Sequence, residues 1–257
     1  MSSGVDILVP SWGSLPWLKL QWNCIRRFPP KVPVNYIVWD NSPTPMSEAW
    51  IKREGFASFF CNPPWSHPRS LEGLLTMSKS TIVVVMDADC IPVKAGWLDE
   101  ALDALSDPKV GAAGLVNGKF EGRYRPFVHP AFFVFKRELH DLLKLTFHPL
   151  LTPEKEYFDV GSLLSMGIED AGYLIRNLGQ ASASPKNLVQ KTFHFCGSTK
   201  IMLGDQPAEV DLRKWAVKNH LDALSEFGLR DEFLDIIKEC LPDNPLLNRY
   251  LVPDGGA

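Results

Sequence analysis

The sequence predicts an α/β fold built on a Rossmann-like, doubly wound and mostly parallel sheet. Three mostly apolar stretches, at 5–9, 36–39 and 82–86, have the composition of buried strands, and segments of helical character follow them. The third stretch is apolar throughout, which is typical of a strand with helices packed on both of its faces. This alternation of strands and helices favours a parallel sheet with crossover helices.

Turn-forming residues follow the first two strands. Pro10, which has no backbone N–H donor, comes after the first strand, and an Asp-Asn-Ser-Pro turn at 40–43 comes after the second. Helical periodicity is found at 18–25, 71–77 and 97–105. Because parallel strands place their carboxyl ends at one edge of the sheet, the polar residues near Ser11, Asp40 and Asp87 should line one crevice.

The second half of the chain continues the fold and then becomes helical. Two further strands and one further helix are indicated, at 131–135, 188–193 and about 159–171. The pattern is helical again over 210–240. We therefore expect one domain at 1–205 and a helical C-terminal appendage at 206–257. The appendage is expected to pack on the domain, with a homodimer contact as the alternative.

Composition disfavours several classes of protein. The chain has 257 residues, of which 45% are hydrophobic and 22% charged, so it should bury a core. A formal net charge of -3 gives no strong field for attracting nucleic acid, which is therefore an unfavoured partner. The longest apolar run, 82–86, is far too short to span a bilayer, and no transmembrane segment is predicted. Five cysteines without a CxxC pair favour reduced thiols and a cytoplasmic protein.

Two carboxylates follow the third predicted strand. Asp87 and Asp89 are separated only by Ala88, and both can turn into a cleft at the end of the strand. Such a pair can share a hard cation such as Mn²⁺ or Mg²⁺. A cation there would neutralise a diphosphate and stabilise the charge that grows on it as it departs. From the residues alone, the alternative is a pair of turn or helix-capping aspartates.

Three short motifs occur in order along the first half of the chain: Val-Pro-Ser at 9–11, Asp-Asn-Ser at 40–42 and Asp-Ala-Asp at 87–89. In order and spacing they resemble the inverting glycosyltransferases of the GT-A fold, particularly the large family 2 group. The resemblance implies a nucleotide-diphosphate sugar donor of the UDP or GDP type and a divalent metal ion. It also divides the domain into a nucleotide-sugar half at about 1–115 and an acceptor half at about 116–205.

The resemblance also implies roles for residues at the strand ends. Ser11 and Asp40 would contact the nucleoside, Asp40 through the base ring, while Asp89 would reach the metal and Asp87 the ribose or the metal. The implied nucleotide-sugar-binding set is Pro10, Ser11, Asp40, Asn41, Arg69, Asp87 and Ala88. The alternative role for Asp40 is a local Asx turn.

A late histidine completes the implied metal set. His194 follows the strand predicted at 188–193, where many GT-A enzymes place a histidine at the metal or diphosphate site. The resemblance therefore implies a metal set of Asp87, Asp89 and His194. Imidazole suits Mn²⁺ better than Mg²⁺. From the residues alone, a hydrogen-bonded structural histidine is the alternative.

Other basic residues have less defined roles. The segment 66–73 departs from the family's Ala-Arg-Asn-x-Gly pattern, and its Arg69 could face the diphosphate or solvent. Arg123 and Arg125, in a predicted loop, and His129, before a buried strand, could bind sugar, phosphate or acceptor. The alternative for these three is a solvated loop with a structural histidine.

Transfer to an acceptor hydroxyl needs a general base. The candidates are Asp159, Glu169, Asp170, His129 and His194. Glu169 and Asp170 match by letters a Glu-Asp pair that the family carries on the acceptor side. However, an apolar stripe over 160–171 places Asp159 at the start of the helix and puts the pair in its exposed last turn. Asp159 is therefore our first candidate and Asp170 the second, with a simple helix cap as the alternative role for Asp159.

The predicted activity is inverting transfer of a glycosyl group from a nucleotide-diphosphate sugar to an acceptor hydroxyl. One alternative is nucleotidyl transfer at the same metal site, although 11–16 is a poor version of the glycine-rich phosphate loop expected for it. A second alternative is a catalytically inactive module that binds a nucleotide sugar or a partner. The sequence leaves the donor sugar and the acceptor open.

Overall fold

The computed structural model describes residues 4–117, 126–151, 157–195 and 210–242. The strands are β1 (Val5–Ser11), β2 (Val34–Asp40), β3 (Ala57–Phe60), β4 (Ile82–Met86), β5 (Cys90–Pro92), β6 (Val110–Asn117), β7 (Phe127–Lys136), β8 (Leu150–Leu151), β9 (Tyr157–Phe158), β10 (Leu174–Gln180) and β11 (Thr192–His194). The helices are α1 (Leu15–Arg27), α2 (Pro45–Arg53), α3 (His67–Met77), α4 (Asp99–Leu105), α5 (Arg137–Leu143), α6 (Ser162–Asp170), α7 (Val210–Glu226) and α8 (Arg230–Cys240). Strands and helices alternate from β1 to β4, as predicted.

Seven strands form one sheet in the order β10-β6-β7-β4-β1-β2-β3. β1 pairs in parallel with β2 and β4, β2 with β3, and β10 with β6. β7 is antiparallel to both of its neighbours, β4 and β6. The predicted doubly wound, mostly parallel sheet is confirmed. The chain builds outward from β1 in one direction to β3 and then returns to place β4 on the other side, which creates the switch point where such sheets bind ligands.

Strand β4 is covered on both faces, as its uniformly apolar sequence predicts. Val84 and Met86 pack in one core cluster with residues of α1, such as Leu18. Val83 and Val85 pack in a second cluster with residues of α3 and α6. Because successive strand residues point to opposite faces, a strand between two helical layers has no polar position.

Several helices begin at residues other than those predicted. α1 starts at Leu15 rather than at 18, and α4 at Asp99 rather than at 97. α3 starts at His67 rather than at 71, because Pro68 suits the first turn of a helix although the apolar stripe begins only later. α6 starts at Ser162 rather than at 159. Gly161, with a φ of 84°, turns the chain into this helix, and Asp159 lies in the turn before it without capping it. The alternative role of Asp159, as a helix cap, is therefore wrong.

Several strands also differ from the prediction, and β5, β6, β8, β9 and β10 were not predicted. β3, with four residues, was not predicted, and its side chains alternate between exposed and half-buried. The strand expected at 188–193 is instead β11, at Thr192–His194, preceded by a 3-10 turn at Pro185–Asn187. β3 and β11 are both too short for sequence periodicity to distinguish them from loops.

The two C-terminal helices pack on the rest of the protein. The rings of Trp17 on α1 and Phe233 on α8 lie 4.3 Å apart, and Lys19 forms an ion pair of 2.7 Å with Glu239. Leu224 of α7 belongs to the same core cluster. The expected domain boundary at 205 lies outside the described residues. Among the helices described, none has both the length and the apolar character that crossing a membrane requires.

Candidate metal centre and nucleotide cleft

The polar residues at the strand ends meet at one edge of the sheet, as predicted. Ser11 and Asp40 are register partners on β1 and β2, and the N–H of Asn41 donates to the carbonyl of Ser11 over 2.8 Å. β4, on the other side of β1, delivers Asp87 to the same edge. The cleft therefore lies at the switch point of the sheet.

A side chain of helix α1 holds the turn that carries the two aspartates through hydrogen bonds. The side-chain amide of Gln21, which is fully buried, donates to the carbonyls of Asp87 and Cys90 over 2.8 and 2.5 Å. The hydroxyl of Tyr36 donates to the Gln21 side-chain oxygen. The N–H of Asp87 donates to the carbonyl of Ala131 on β7 over 3.2 Å. These contacts fix the backbone of the turn, and no pattern in the sequence indicated the role of Gln21.

His194 faces both carboxylates. β11 pairs antiparallel with β5, which sets His194 opposite Cys90, directly after Asp89. His194 Nε2 lies 3.8 Å from Asp87 Oδ2 and 3.5 Å from Asp89 Oδ1. Asp89 and His194 are buried, whereas Asp87 is slightly more open. The three residues predicted as a metal set are thus brought together by a strand pairing that joins distant parts of the chain.

His67, in the first turn of α3, holds the other side of Asp87. Its Nε2 donates to Asp87 Oδ1 over 3.0 Å. Burial lowers the pKa of His67, but the charge of Asp87 and this hydrogen bond outweigh burial and raise it above its ordinary value. Burial raises the pKa of Asp87, but the charge and hydrogen bond of His67, with the charge of His194, bring it below its ordinary value. Asp87 is therefore a carboxylate with one oxygen engaged and the other directed at His194.

His129, which the sequence placed on the acceptor side, lies beside the metal residues. Its ring centroid is 5.1 Å from that of His194. Within the described residues, potential ligand atoms of Asp87, His129 and His194 all lie within 4.8 Å of one another. Burial lowers the pKa of His129 to about 4, against the opposing effect of Asp87. The ring is therefore neutral at neutral pH.

The nucleoside side of the cleft is organised by hydrogen bonds within the protein. Asp40 accepts from the N–H of Ser42 over 3.1 Å and from the hydroxyl of Ser47 over 2.9 Å. The first bond is the Asx turn that was the alternative role for Asp40. Burial raises the pKa of Asp40, although both hydrogen bonds act in the opposite direction.

Asn41 is also engaged within the protein. Its amide donates to the hydroxyl of Ser70 over 2.8 Å, and its carbonyl oxygen accepts from the N–H of Trp65 over 3.0 Å. By contrast, the buried hydroxyl of Ser11 has no hydrogen-bond partner among the described residues. Pro10 and Ala88, also predicted to bind the donor, are both buried at this edge.

Arg69 is exposed and stacks on an aromatic ring. Its guanidinium carbon lies 3.8 Å from the centre of the Trp65 ring. Trp65 in turn packs against Trp39, with ring centroids 4.8 Å apart, and Trp39 stacks on Phe59 at 4.1 Å. This cation–π contact holds the side chain of Arg69 at the surface near the cleft.

The two base candidates lie at opposite ends of α6. Asp159 precedes the helix, is half-buried and accepts from the N–H of Val160 over 2.9 Å. Its charge contributes to the pKa shifts of His67 and His129, so it lies near the histidine cluster. Asp170 is exposed in the last turn, about 13 Å further along the helix. Arg123 and Arg125 lie outside the described residues.

No protein-family model and no curated protein sequence matches this chain. Its structure, however, resembles those of several glycosyltransferases. A Pyrobaculum calidifontis mannosyltransferase solved with GDP-Man and Mn²⁺ has 20% sequence identity and a TM-score of 0.53, covering 96% of this chain and 78% of the other. For S. aureus TarS residues 1–349, the identity is 12% and the TM-score 0.53, over 90% and 74% of the two chains.

Glucosyl-3-phosphoglycerate synthase from Mycobacterium tuberculosis, solved with Mn²⁺, UDP and glucosyl-3-phosphoglycerate, has a similar fold. Its sequence identity is 14% and the TM-score is 0.51, over 87% of this chain and 80% of the other. Likeness at these identities concerns the fold, and it agrees with the strand order and the position of the cleft. The chain therefore has the GT-A fold of these glycosyltransferases, as its motifs predict.

Proposed function

We propose that this protein is a metal-dependent, inverting glycosyltransferase that moves a sugar from a nucleotide-diphosphate donor to an acceptor hydroxyl. The observation that carries this proposal is the convergence of Asp87, Asp89 and His194 at the switch point of a GT-A sheet. Two of the structures with this fold were solved with Mn²⁺ and a UDP or GDP compound. The donor proposed here is accordingly of the UDP or GDP type.

The residues present fit a divalent cation. Two ligands about 2.1 Å from one ion lie about 3 Å apart at right angles and about 4.2 Å apart when opposite each other. The separations of 3.5 and 3.8 Å between His194 Nε2 and the two carboxylates fall in this interval. Asp87 keeps Oδ2 for the ion because His67 holds Oδ1. Bound there, Mn²⁺ or Mg²⁺ would neutralise the diphosphate as charge develops on it.

The nucleoside would lie against the ends of β1 and β2. A buried hydroxyl without a partner costs about 1–3 kcal/mol, and a ribose or base group reaching Ser11 would remove that cost. Each carboxylate oxygen of Asp40 accepts one hydrogen bond within the protein and retains a lone pair for a base N–H. Pro10, Asn41 and Ala88 would shape this part of the cleft rather than donate to the ligand.

The acceptor hydroxyl would lose its proton to Asp159. The acceptor oxygen then forms its bond to the anomeric carbon while the bond to the diphosphate oxygen breaks, and the electron pair departs with the diphosphate. A single displacement of this kind inverts the anomeric configuration. Asp159 is preferred to Asp170 because its charge acts on His67 and His129, next to the metal residues. Arg69, with Arg123 and Arg125, remains proposed for phosphate or acceptor contacts.

The test is a panel of UDP and GDP sugars incubated with the protein and Mn²⁺, with release of UDP or GDP as the readout. We expect turnover with one donor, and Asp159→Asn should still bind that donor but lose most of its turnover. Asp170→Asn, at the far end of the same helix, is the matched control and should retain activity. Release of pyrophosphate from a nucleoside triphosphate would instead indicate nucleotidyl transfer, and binding without any product would indicate an inactive module.

A further inference from the structure

His129 is close enough to the metal residues to be mistaken for a fourth protein ligand, beside Asp87, Asp89 and His194. Its potential ligand atom lies within 4.8 Å of those of Asp87 and His194. Proximity alone would give a site with two imidazoles and two carboxylates. The hydrogen bonding of the His129 ring leads to a different conclusion.

The main chain fixes the tautomer of His129. The backbone N–H of Ala131, two residues further along β7, donates to Nδ1 of His129 over 3.0 Å. A ring nitrogen that accepts a hydrogen bond carries no proton, so the proton of the neutral ring lies on Nε2. Because the donor is a backbone group within the central sheet, the ring has little freedom to exchange its two nitrogens.

This arrangement is the reverse of what a metal-binding histidine requires. A histidine that binds a metal through one nitrogen usually donates the N–H of the other to a carboxylate or carbonyl oxygen. In His129 the lone pair of Nδ1 is used by Ala131, and Nε2 carries a proton. Neither nitrogen is therefore available as a ligand. His194 differs, because its Nε2 faces oxygens of both Asp87 and Asp89.

The Nε2–H group of His129 is a donor that lacks an acceptor within the described part of the protein. The hydrogen bond with Ala131 is the one that the ring makes there, and the side chain is only half-buried. Asp87, whose carboxylate lies within 4.8 Å of a ring nitrogen of His129, already accepts from His67 with Oδ1 and directs Oδ2 at His194. A donor in this position suits an anionic oxygen that arrives with a ligand.

We propose that His129 is a neutral N–H donor to the diphosphate of the bound nucleotide and is not a ligand of the metal. The inference rests on the proposed function, since it places the diphosphate next to Asp87 and His194. It assigns separate tasks to two neighbouring histidines. His194 binds the cation, and His129 binds the anion that the cation carries.

Binding measurements with separate probes test this division. Mn²⁺ alone is titrated first, with free Mn²⁺ followed by electron paramagnetic resonance, and UDP and GDP are then titrated by calorimetry in saturating Mn²⁺. We expect His129→Ala to keep its Mn²⁺ affinity within about twofold of wild type. Its affinity for the diphosphate should fall about tenfold, the usual effect of losing a hydrogen bond to a charged group. His194→Ala should instead weaken Mn²⁺ itself by about tenfold or more.

Two further variants control for nonspecific effects. His129→Gln keeps an N–H donor on a side chain of similar reach, so it should recover part of the lost diphosphate affinity. This variant also allows the proposal to be tested if the alanine variant folds poorly. His148→Ala removes an exposed histidine outside the cluster and should match wild type for both probes.

Other outcomes would overturn the proposal in distinguishable ways. Equal losses of Mn²⁺ affinity in the alanine variants of His129 and His194 would make His129 a ligand. If His129→Ala kept its diphosphate affinity, His129 would not be a donor to the diphosphate. The proposed function of the protein would then still stand. If wild type bound neither Mn²⁺ nor either diphosphate, the proposed function and this inference would both fail.

The tautomer can also be observed directly. The chain has six histidines, which ¹⁵N labelling and the His129→Gln variant would allow to be assigned. We expect the Nε2–H form for His129 both without and with Mg²⁺, which is diamagnetic. A change of His129 to the Nδ1–H form on adding Mg²⁺ would show that the metal takes Nε2 and would refute the proposal.

Discussion

Two carboxyl groups at the same edge of the sheet differ in their surroundings. Asp40, on the nucleoside side, is held by a backbone N–H and the hydroxyl of Ser47, and burial raises its pKa. Asp87, on the metal side, is also subject to burial, yet His67 and His194 lower its pKa. Burial acts on both carboxyl groups in the same direction, and the neighbours decide the outcome. Asp40 is held by hydrogen bonds within the protein, whereas the metal side brings together charges that suit a cation.

The two sides also differ in how they are assembled. On the nucleoside side, Asp40 is held by a local turn after β2, because both of its partners, Ser42 and Ser47, follow it closely in the sequence. The metal side joins residues from α3, β4, β7 and β11, which are far apart along the chain. Local turns depend on a few neighbouring residues, whereas the metal side depends on the whole sheet being correctly formed. Substitutions should therefore have larger functional effects on the metal side.

The largest effect is expected from Asp89→Asn, which removes a charge from the metal side with little change of shape. We expect Mn²⁺ affinity and kcat/KM each to fall about 100-fold or more, because an amide is a much weaker ligand than a carboxylate. Titration with Mn²⁺ and the nucleotide-sugar assay measure the two quantities. Asp103→Asn, an exposed position on α4, is the matched control. An unchanged Mn²⁺ affinity would remove Asp89 from the metal set and weaken the contrast between the two sides.

A second prediction concerns Gln21, which holds the turn that carries the two aspartates of the metal side. Gln21→Ala would leave the carbonyls of Asp87 and Cys90 without their side-chain donor and the Tyr36 hydroxyl without its acceptor. We expect the free energy of unfolding to fall by about 2–4 kcal/mol, because buried polar groups lose their partners and a cavity forms. Mn²⁺ affinity should fall as well, since the backbone that orients both aspartates is no longer fixed.

Urea unfolding and Mn²⁺ titration would test this prediction together. Tyr36→Phe is the informative control because it removes a single hydroxyl from the same network and should cost less stability, about 1 kcal/mol. If Gln21→Ala lost stability but bound Mn²⁺ as wild type does, the turn would be held by its other contacts. Gln21 would then be a residue of the core with no part in positioning the metal side.

The same contrast explains what the sequence could predict. The sheet and its cleft could be predicted from local patterns. Apolar strands such as 82–86 and turns such as 40–43 can be recognised from a few consecutive residues. His194 could be assigned to the metal set only through the family resemblance, because the three-residue strand β11 reaches Asp89 by a long-range pairing. No feature of the sequence indicated that Gln21 is buried beneath the turn, since a polar residue on a helix is usually exposed. Asp159 was predicted at the start of the helix because the positive φ at Gly161, which delays the helix, has no periodic signature.

The smallest effect is expected from Ser47→Ala on the nucleoside side. The hydroxyl of Ser47 donates to Asp40 and accepts from the N–H of Thr44, so its loss removes a capping contact of α2 as well as one support of the carboxylate. We expect the free energy of unfolding to fall by about 1–2 kcal/mol and Mn²⁺ affinity to stay unchanged. Nucleotide affinity should change only a few-fold, because the N–H of Ser42 still holds the other oxygen of Asp40. Ser47→Thr, which keeps the hydroxyl, should lose less nucleotide affinity than Ser47→Ala. A marked loss of Mn²⁺ binding in Ser47→Ala would show that the two sides are coupled and do not act separately.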